Sequence, residues 1–262
     1  MIDQNPKPTP KHRVLIATPT TGLVRMEWVM ARYTQNIPTN WGEVDFTQWY
    51  NTYTPIGYQI NDAENIIAKV LVEGNFDWLL FLEHDNVIPP GTFVKMNEYM
   101  IEGKVPVVAA LYFTKSDPPE PMVYREWGHG YYDKWRLGDK VWARGCPFGC
   151  TLIHASLIRE LWKTAPEYSV GNQTTRRVFH GPETDDQPNA NGFFINKGTS
   201  DLAFRKELVE KRIFEKTGWK EYQKKKYPIL IDTSILVKHI DQDGNQWPMI
   251  VPKKYAPKGT IV

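Results

Sequence analysis

Glu83, His84 and Asp85 stand in a row within "FDWLLFLEHDNVIPPGTF", residues 76–93. They follow an apolar run, 76–82, that reads as a buried strand, and they precede a Pro-Pro-Gly break. In extended chain, residues two apart face the same way. Glu83 and Asp85 can then address one ligand while His84 faces elsewhere. Oxygen ligands suit hard cations such as Mg²⁺ and Mn²⁺. Mg²⁺ is typically held by one or two carboxylates together with substrate phosphates. The chemistry these residues suggest is a divalent cation bridging the chain and a diphosphate. The same triplet also fits an acidic, solvated strand end, so spacing alone leaves both readings open.

A strand tip is useful only where the fold holds it. "RVLIATPTTG" (13–22) reads as a strand entering a Thr/Pro/Gly turn. In "YQINDAENIIAKVLVEG", Ile60, Ala63, Ile66, Ile67, Val70 and Leu71 recur at helical spacing, Asn61 or Asp62 can cap the first turn, and Gly74 ends it. A second helix is expected at 91–103 and a buried strand at 105–113. Residues 140–163 give a strand, a Gly-bearing turn and a helix from about 155. The stretch 166–198 reads as a long polar loop, and 199–218 as one helix. "YPILIDTSILVKH" closes with a strand pair. Helices alternating with continuous apolar strands predict an α/β domain. Its central sheet should be mostly parallel and covered by helices on both faces. In such sheets ligands bind beyond the carboxyl ends of the strands, where Glu83 and Asp85 lie. The organisation expected is a flexible N-terminal segment (1–12), one domain (13–243) and an irregular Pro/Lys-rich tail (244–262).

The segment 57–93 resembles the centre of family-2-like glycosyltransferases of the GT-A fold, in their phage and bacterial forms. There a helix leads to a strand ending in Asp-x-Asp, often followed by Pro. Four further stretches resemble the family in the same order: "VPVVAALYFTKSDPPEPMVY", "ARGCPFGCTLIHASLIREL", "GTSDLAFRKELVEKRIFEKTG" and "PILIDTSILVKHI". The resemblance covers roughly residues 13–240. It implies that Asp85 binds the metal at the donor diphosphate. Glu83 takes the place of the first Asp, touching the donor ribose or the metal's water shell, with a side chain one methylene longer. The resemblance also implies that His239 is the third metal-site residue, that Asp201 is the general base, and that Thr18 and Pro19 cup the nucleotide base. Asn61 and Asp62 fall near its nucleotide pocket. Where the family commonly has Glu-Asp, Ser200 precedes Asp201. Glu183, Asp185 and Asp186 in "PETDD" are rival bases. Without the resemblance, His239 reads as a surface or capping group and Asp201 as a first-turn residue favoured by the helix dipole.

The implied activity is transfer of a sugar from a UDP- or GDP-type donor to an unidentified hydroxyl acceptor, by an inverting route with Mn²⁺ or Mg²⁺. Two other readings remain: a catalytically degenerate sugar-binding or virion accessory protein, and a sugar nucleotidyltransferase. "TPTTGLVR" is a poor match to the Gly/Arg/Lys-rich phosphate loop of the latter. The net charge of +2 gives no case for nucleic acid as a general partner, though a modified base stays open as an acceptor. No apolar stretch is long enough for a transmembrane segment. That suggests a cytoplasmic protein, or one of a host cytoplasm if viral. The two cysteines, Cys146 and Cys150, suit neither a disulfide framework nor a zinc site, and read as small buried residues. Trp127, Tyr131, Tyr132 and Trp135 fit packing or an acceptor platform equally.

Overall fold

The computed structural model describes residues 9–41, 53–126, 130–145, 147–181 and 199–257. In chain order the elements are β1 (Val14–Ala17), α1 (Met26–Tyr33), α2 (Ile60–Glu73), β2 (Trp78–Leu82), β3 (Asn86–Val87), α3 (Thr92–Glu102), β4 (Val107–Leu111) and β5 (Lys140–Ala143). Then come β6 (Cys150–His154), α4 (Ala155–Thr164), β7 (Glu167–Val170), β8 (Gln173–Arg176), α5 (Ser200–Glu210), α6 (Ile213–Lys216) and α7 (Lys220–Gln223). The chain closes with β9 (Ile229–Leu236), β10 (Lys238–Ile240), β11 (Gln246–Trp247) and a 3₁₀ turn, Lys253–Tyr255.

The central sheet has six strands in the order β1-β2-β6-β4-β9-β5. β1, β2, β4 and β9 run one way, and β6 and β5 run against them. β2 and β4 are buried at every position, as an apolar run covered on both faces requires. The register shows what covers each face. Phe81, Thr151, Ala109 and Ile231 lie in one row, and Ala110 and Asp232 lie in the next, facing the other way. Phe81 packs edge-on against Phe179, which is bonded to Asn65 of α2. Asp232 accepts a 2.7 Å hydrogen bond from Tyr99 of α3. Helices α2 and α3 therefore cover opposite faces.

Asn65 joins α2 to the segment after β8. Its amide donates to the Phe179 carbonyl (2.6 Å) and the Tyr168 hydroxyl (3.0 Å), and its oxygen accepts from Phe179 N–H (2.7 Å). Asn65→Ala strands buried backbone groups and should cost about 2–3 kcal/mol. Chemical denaturation of the two proteins checks this, and an unchanged midpoint would refute it.

Three segments differ from the sequence reading. The stretch expected to be a polar loop holds the β7–β8 hairpin, turned by Gly171 at φ +56° followed by Asn172. Its inward face carries only Tyr168 and Val170 as apolar residues, too short an alternation to signal a strand. The helix expected over 199–218 breaks at Arg212, which adopts φ +55°. Phe204 and Leu208 define its buried stripe. Ile213 and Phe214 fall off that stripe, and the break lets both reach the core. The tail is tied down rather than wholly irregular: β11 pairs with β10, and Tyr255 stacks on Trp135 with centroids 4.1 Å apart. Trp135 is thus a packing residue, whereas Trp127 lies outside the described residues.

Candidate functional site

After β2 the backbone does not stay extended. Asn86 N–H donates to the Glu83 carbonyl (3.2 Å), closing a turn over Glu83, His84 and Asp85. The two carboxylates converge by that turn, not by strand alternation, which corrects the geometry assumed from spacing. The buried Asn86 amide donates to Asp85 Oδ1 (2.8 Å) and reaches Glu83 Oε2 at 3.5 Å. Trp28 of α1 anchors the turn by donating to the Glu83 carbonyl (2.9 Å). Gly149 sits opposite, its carbonyl accepting from Glu83 N–H (2.9 Å). A Cβ there would lie 2.6 Å from the Tyr112 hydroxyl and 2.8 Å from the Asn86 amide, so only glycine lets those groups close on the tip. His84 turns away, its ring Nδ1 3.2 Å from the Pro19 carbonyl.

His239 reaches the tip from the far end of the chain. β10 pairs antiparallel with β3, placing His239 opposite Asn86, and Ile240 N–H donates to the Asp85 carbonyl (2.7 Å). His239 Nε2 lies 3.2 Å from Asp85 Oδ2, and its Nδ1 lies 2.9 Å from the Phe113 carbonyl. A carbonyl only accepts, so Nδ1 carries the ring proton. A neutral imidazole would then aim its Nε2 lone pair at a carboxylate oxygen. The pair closes favourably only around a cation, either a proton on Nε2 or a metal ion between the two. Lys115 also places its ammonium 2.6 Å from Asp85 Oδ2. Burial works against the Asp85 charge, but the His239 hydrogen bond and Lys115 outweigh it and hold this carboxyl well below the usual range.

Glu83 goes the other way. Burial, then the neighbouring Asp85 and Asp201, push its carboxyl well above the usual range. Asp201, in the first turn of α5, is buried. Its Oδ1 accepts from Leu202 N–H (2.7 Å) and from the Thr199 hydroxyl. Beside it lies Glu64 of α2, fully buried, which accepts from the Ser200 hydroxyl (2.9 Å) and has no partner for Oε2. Burial raises its carboxyl well above the ordinary value; the Ser200 bond opposes this, and Asp201 and Glu83 add to it.

Glu64 and Lys115 were not singled out by the sequence reading. For Glu64 a signal existed: it occupies the i+4 position of the stripe Ile60, Glu64, Ile67, Leu71, where an apolar residue belongs. A carboxyl whose folded pKa is raised binds an extra proton between its unfolded and folded pKa values. Stability therefore falls as pH rises through that window. Glu64→Gln keeps the acceptor for Ser200 and removes the charge. It should be more stable than the parent at neutral pH, with the difference vanishing in acid below the unfolded carboxyl range. Thermal melts across pH test this, and equal melting at neutral pH would refute it.

Thr18 and Pro19 are buried beneath the tip, at the end of β1. Asn61 and Asp62 are not brought to Asp85: Asp62 accepts from Tyr168 of the hairpin (2.8 Å), and Asn61 lies against Gly181. Glu183, Asp185, Asp186 and Cys146 lie outside the described residues, and Cys150 is buried, its thiol pushed up to about 12 by that burial. A cleft of about 440 Å³ opens over Asp85, bounded by His84, Lys115, Arg25, Ile240 and Gln242. A larger one of about 770 Å³ lies by Tyr99, Trp142 and Trp219 and contains none of these converging groups. Among the described residues, no three His, Cys, Asp or Glu side chains are grouped to hold a metal by themselves. Asp85 and His239 fit as two ligands, with phosphate oxygens and water completing the shell. Glu83 lies on the same turn, its Oε2 3.5 Å from the Asn86 amide that also holds Asp85.

No family model matches the sequence, and no curated protein matches it. Among solved structures, the crystal structure of A197 from STIV is similar at 17% identity, with a TM-score of 0.48, covering 88% of this chain and 87% of that one.

Proposed function

We propose that this chain transfers a sugar from a nucleoside-diphosphate donor to a hydroxyl acceptor, with inversion and with Mn²⁺ or Mg²⁺ at Asp85 and His239. The observation that carries the reading is the meeting of His239 Nε2 and Asp85 Oδ2 at 3.2 Å, across 154 residues, in a geometry that calls for a cation. A bound divalent cation would neutralise the charge growing on the diphosphate as it leaves.

The chain's own groups have distinct tasks in this reading. Lys115, already at Asp85, supplies a second positive charge toward the diphosphate. Glu83, on the same turn as Asp85, touches the donor ribose or the water shell of the metal. Asp201 takes the acceptor proton as its hydroxyl attacks the face opposite the leaving group. Its first-turn backbone contact fixes the carboxylate, and burial keeps bulk water from competing as acceptor. A panel of nucleotide sugars, scored for donor turnover with and without Mn²⁺, tests the reading. It fails if no donor is turned over and calorimetry finds no metal-dependent binding of UDP or GDP.

A further inference from the structure

Lys115 and His239 both address one oxygen, Asp85 Oδ2, at 2.6 Å and 3.2 Å. The other oxygen, Oδ1, accepts from the Asn86 amide (2.8 Å). Lys115 lies just beyond β4, in a turn closed by its own neighbours. Thr114 N–H donates to the Glu120 carbonyl (2.9 Å), and Glu120 N–H donates back to the Thr114 hydroxyl (2.9 Å). On the other side, the Phe113 carbonyl holds His239 Nδ1 (2.9 Å). The backbone around Lys115 is thus fixed, while its ammonium ends a flexible four-carbon stem that is 31% exposed. Among the described residues, Asp85 is the one partner of that ammonium. Arg25 also lines the cleft over Asp85, but it is tied to Glu27 (2.8 Å) and to the Gln242 carbonyl (3.0 Å).

From this arrangement we infer that Lys115 is an exchangeable counter-ion of Asp85, one that a divalent cation displaces readily only when a diphosphate draws the ammonium off. An ion bound about 2.1 Å from Oδ2 would stand within about 4.7 Å of an ammonium 2.6 Å from the same atom. Partly buried like charges at that separation are poorly screened. Asp85 has a single negative charge to share between a dication and an ammonium. A diphosphate removes the conflict, because its oxygens accept from the ammonium and also complete the shell of the ion. Lys115 then swings from carboxylate to phosphate through its side chain alone, with the turn unmoved. Arg25 cannot substitute for it without giving up two partners. This role rests on the reading of Asp85 and His239 as metal ligands. It adds that metal and diphosphate load as a coupled pair, each raising the affinity for the other by the same factor.

Mn²⁺ alone, titrated into the parent, Lys115→Met and Lys115→Arg and followed by loss of the free-ion spin-resonance signal, tests this without any turnover. Lys115→Met removes the charge and nearly keeps the length of the stem. It should bind Mn²⁺ about tenfold more tightly than the parent, or better. Lys115→Arg keeps the charge and should match the parent. Added UDP or GDP should tighten Mn²⁺ on the parent by a larger factor than on Lys115→Met. Both variants should melt with the parent, because backbone groups and the Thr114 hydroxyl close the turn. Equal or weaker Mn²⁺ binding by Lys115→Met overturns the inference, and so does Lys115→Arg behaving like Lys115→Met. If the parent in that case still takes Mn²⁺ with UDP or GDP, the metal reading stands and only the part given to Lys115 falls. If no form of the protein binds Mn²⁺ in any condition, both fall.

Discussion

Asp201→Asn should lower turnover by about 10²–10⁴-fold while leaving donor and metal binding intact, the loss typical of a removed general base. The fold should survive, because the asparagine oxygen can still accept from Leu202 N–H. Two other carboxyls lie close by, and both suit the role less. Glu64 is more deeply buried than Asp201, 2% exposed against 6%, and its Oε1 is taken by the Ser200 hydroxyl. Glu83 shares its turn with Asp85 at the diphosphate side of the tip, so its place is with the donor. Asp201 is fixed at the start of a helix, and a base works only when its position is fixed. Single-turnover measurement with a donor identified by the panel reads the rate, and the product anomer reads the stereochemistry. Inversion and a large loss are expected; retention, or near-normal turnover, would remove Asp201 from this role.

The sheet was legible because its signals are local. β2 and β4 are uninterrupted apolar runs, and α2 carries a helical stripe ended by glycine. The pairing of Asp85 with His239 was reached through a resemblance, since no local pattern reports that β10 lies beside β3. The turn at Glu83–Asn86 was missed because a hydrogen bond, not residue type, closes it. Helix α1 carries no periodic signal, because Met26, Met30 and Tyr33 stay in solvent while Trp28 is buried, so its apolar residues mark no single face. Lys115 gave no signal at all: a lysine after a strand is ordinary until the fold sets it on Asp85. Polar function and polar solvation look alike in sequence, and only burial separates them.

Asp85→Asn should abolish the contribution of Mn²⁺ to nucleoside-diphosphate binding. Changes in groups that only support a metal ligand cost about 10–100-fold in metal affinity, so losing one of two protein ligands should cost at least the upper end of that range. The substitution keeps the acceptor for the Asn86 amide, so the turn that shapes the tip should hold. It also leaves Lys115 without its carboxylate. Metal-free binding of UDP or GDP should therefore be unchanged or stronger, because a freed ammonium attracts phosphate. That pairing of outcomes separates a lost ligand from a damaged pocket, which would weaken binding in both conditions. His239→Ala should reproduce the loss of metal dependence without freeing Lys115, so its metal-free binding should match the parent. Calorimetry of the parent and both variants, with and without Mn²⁺, supplies the comparison. If Mn²⁺ still tightens binding to the Asp85→Asn protein as much as to the parent, the cation does not sit between Asp85 and His239.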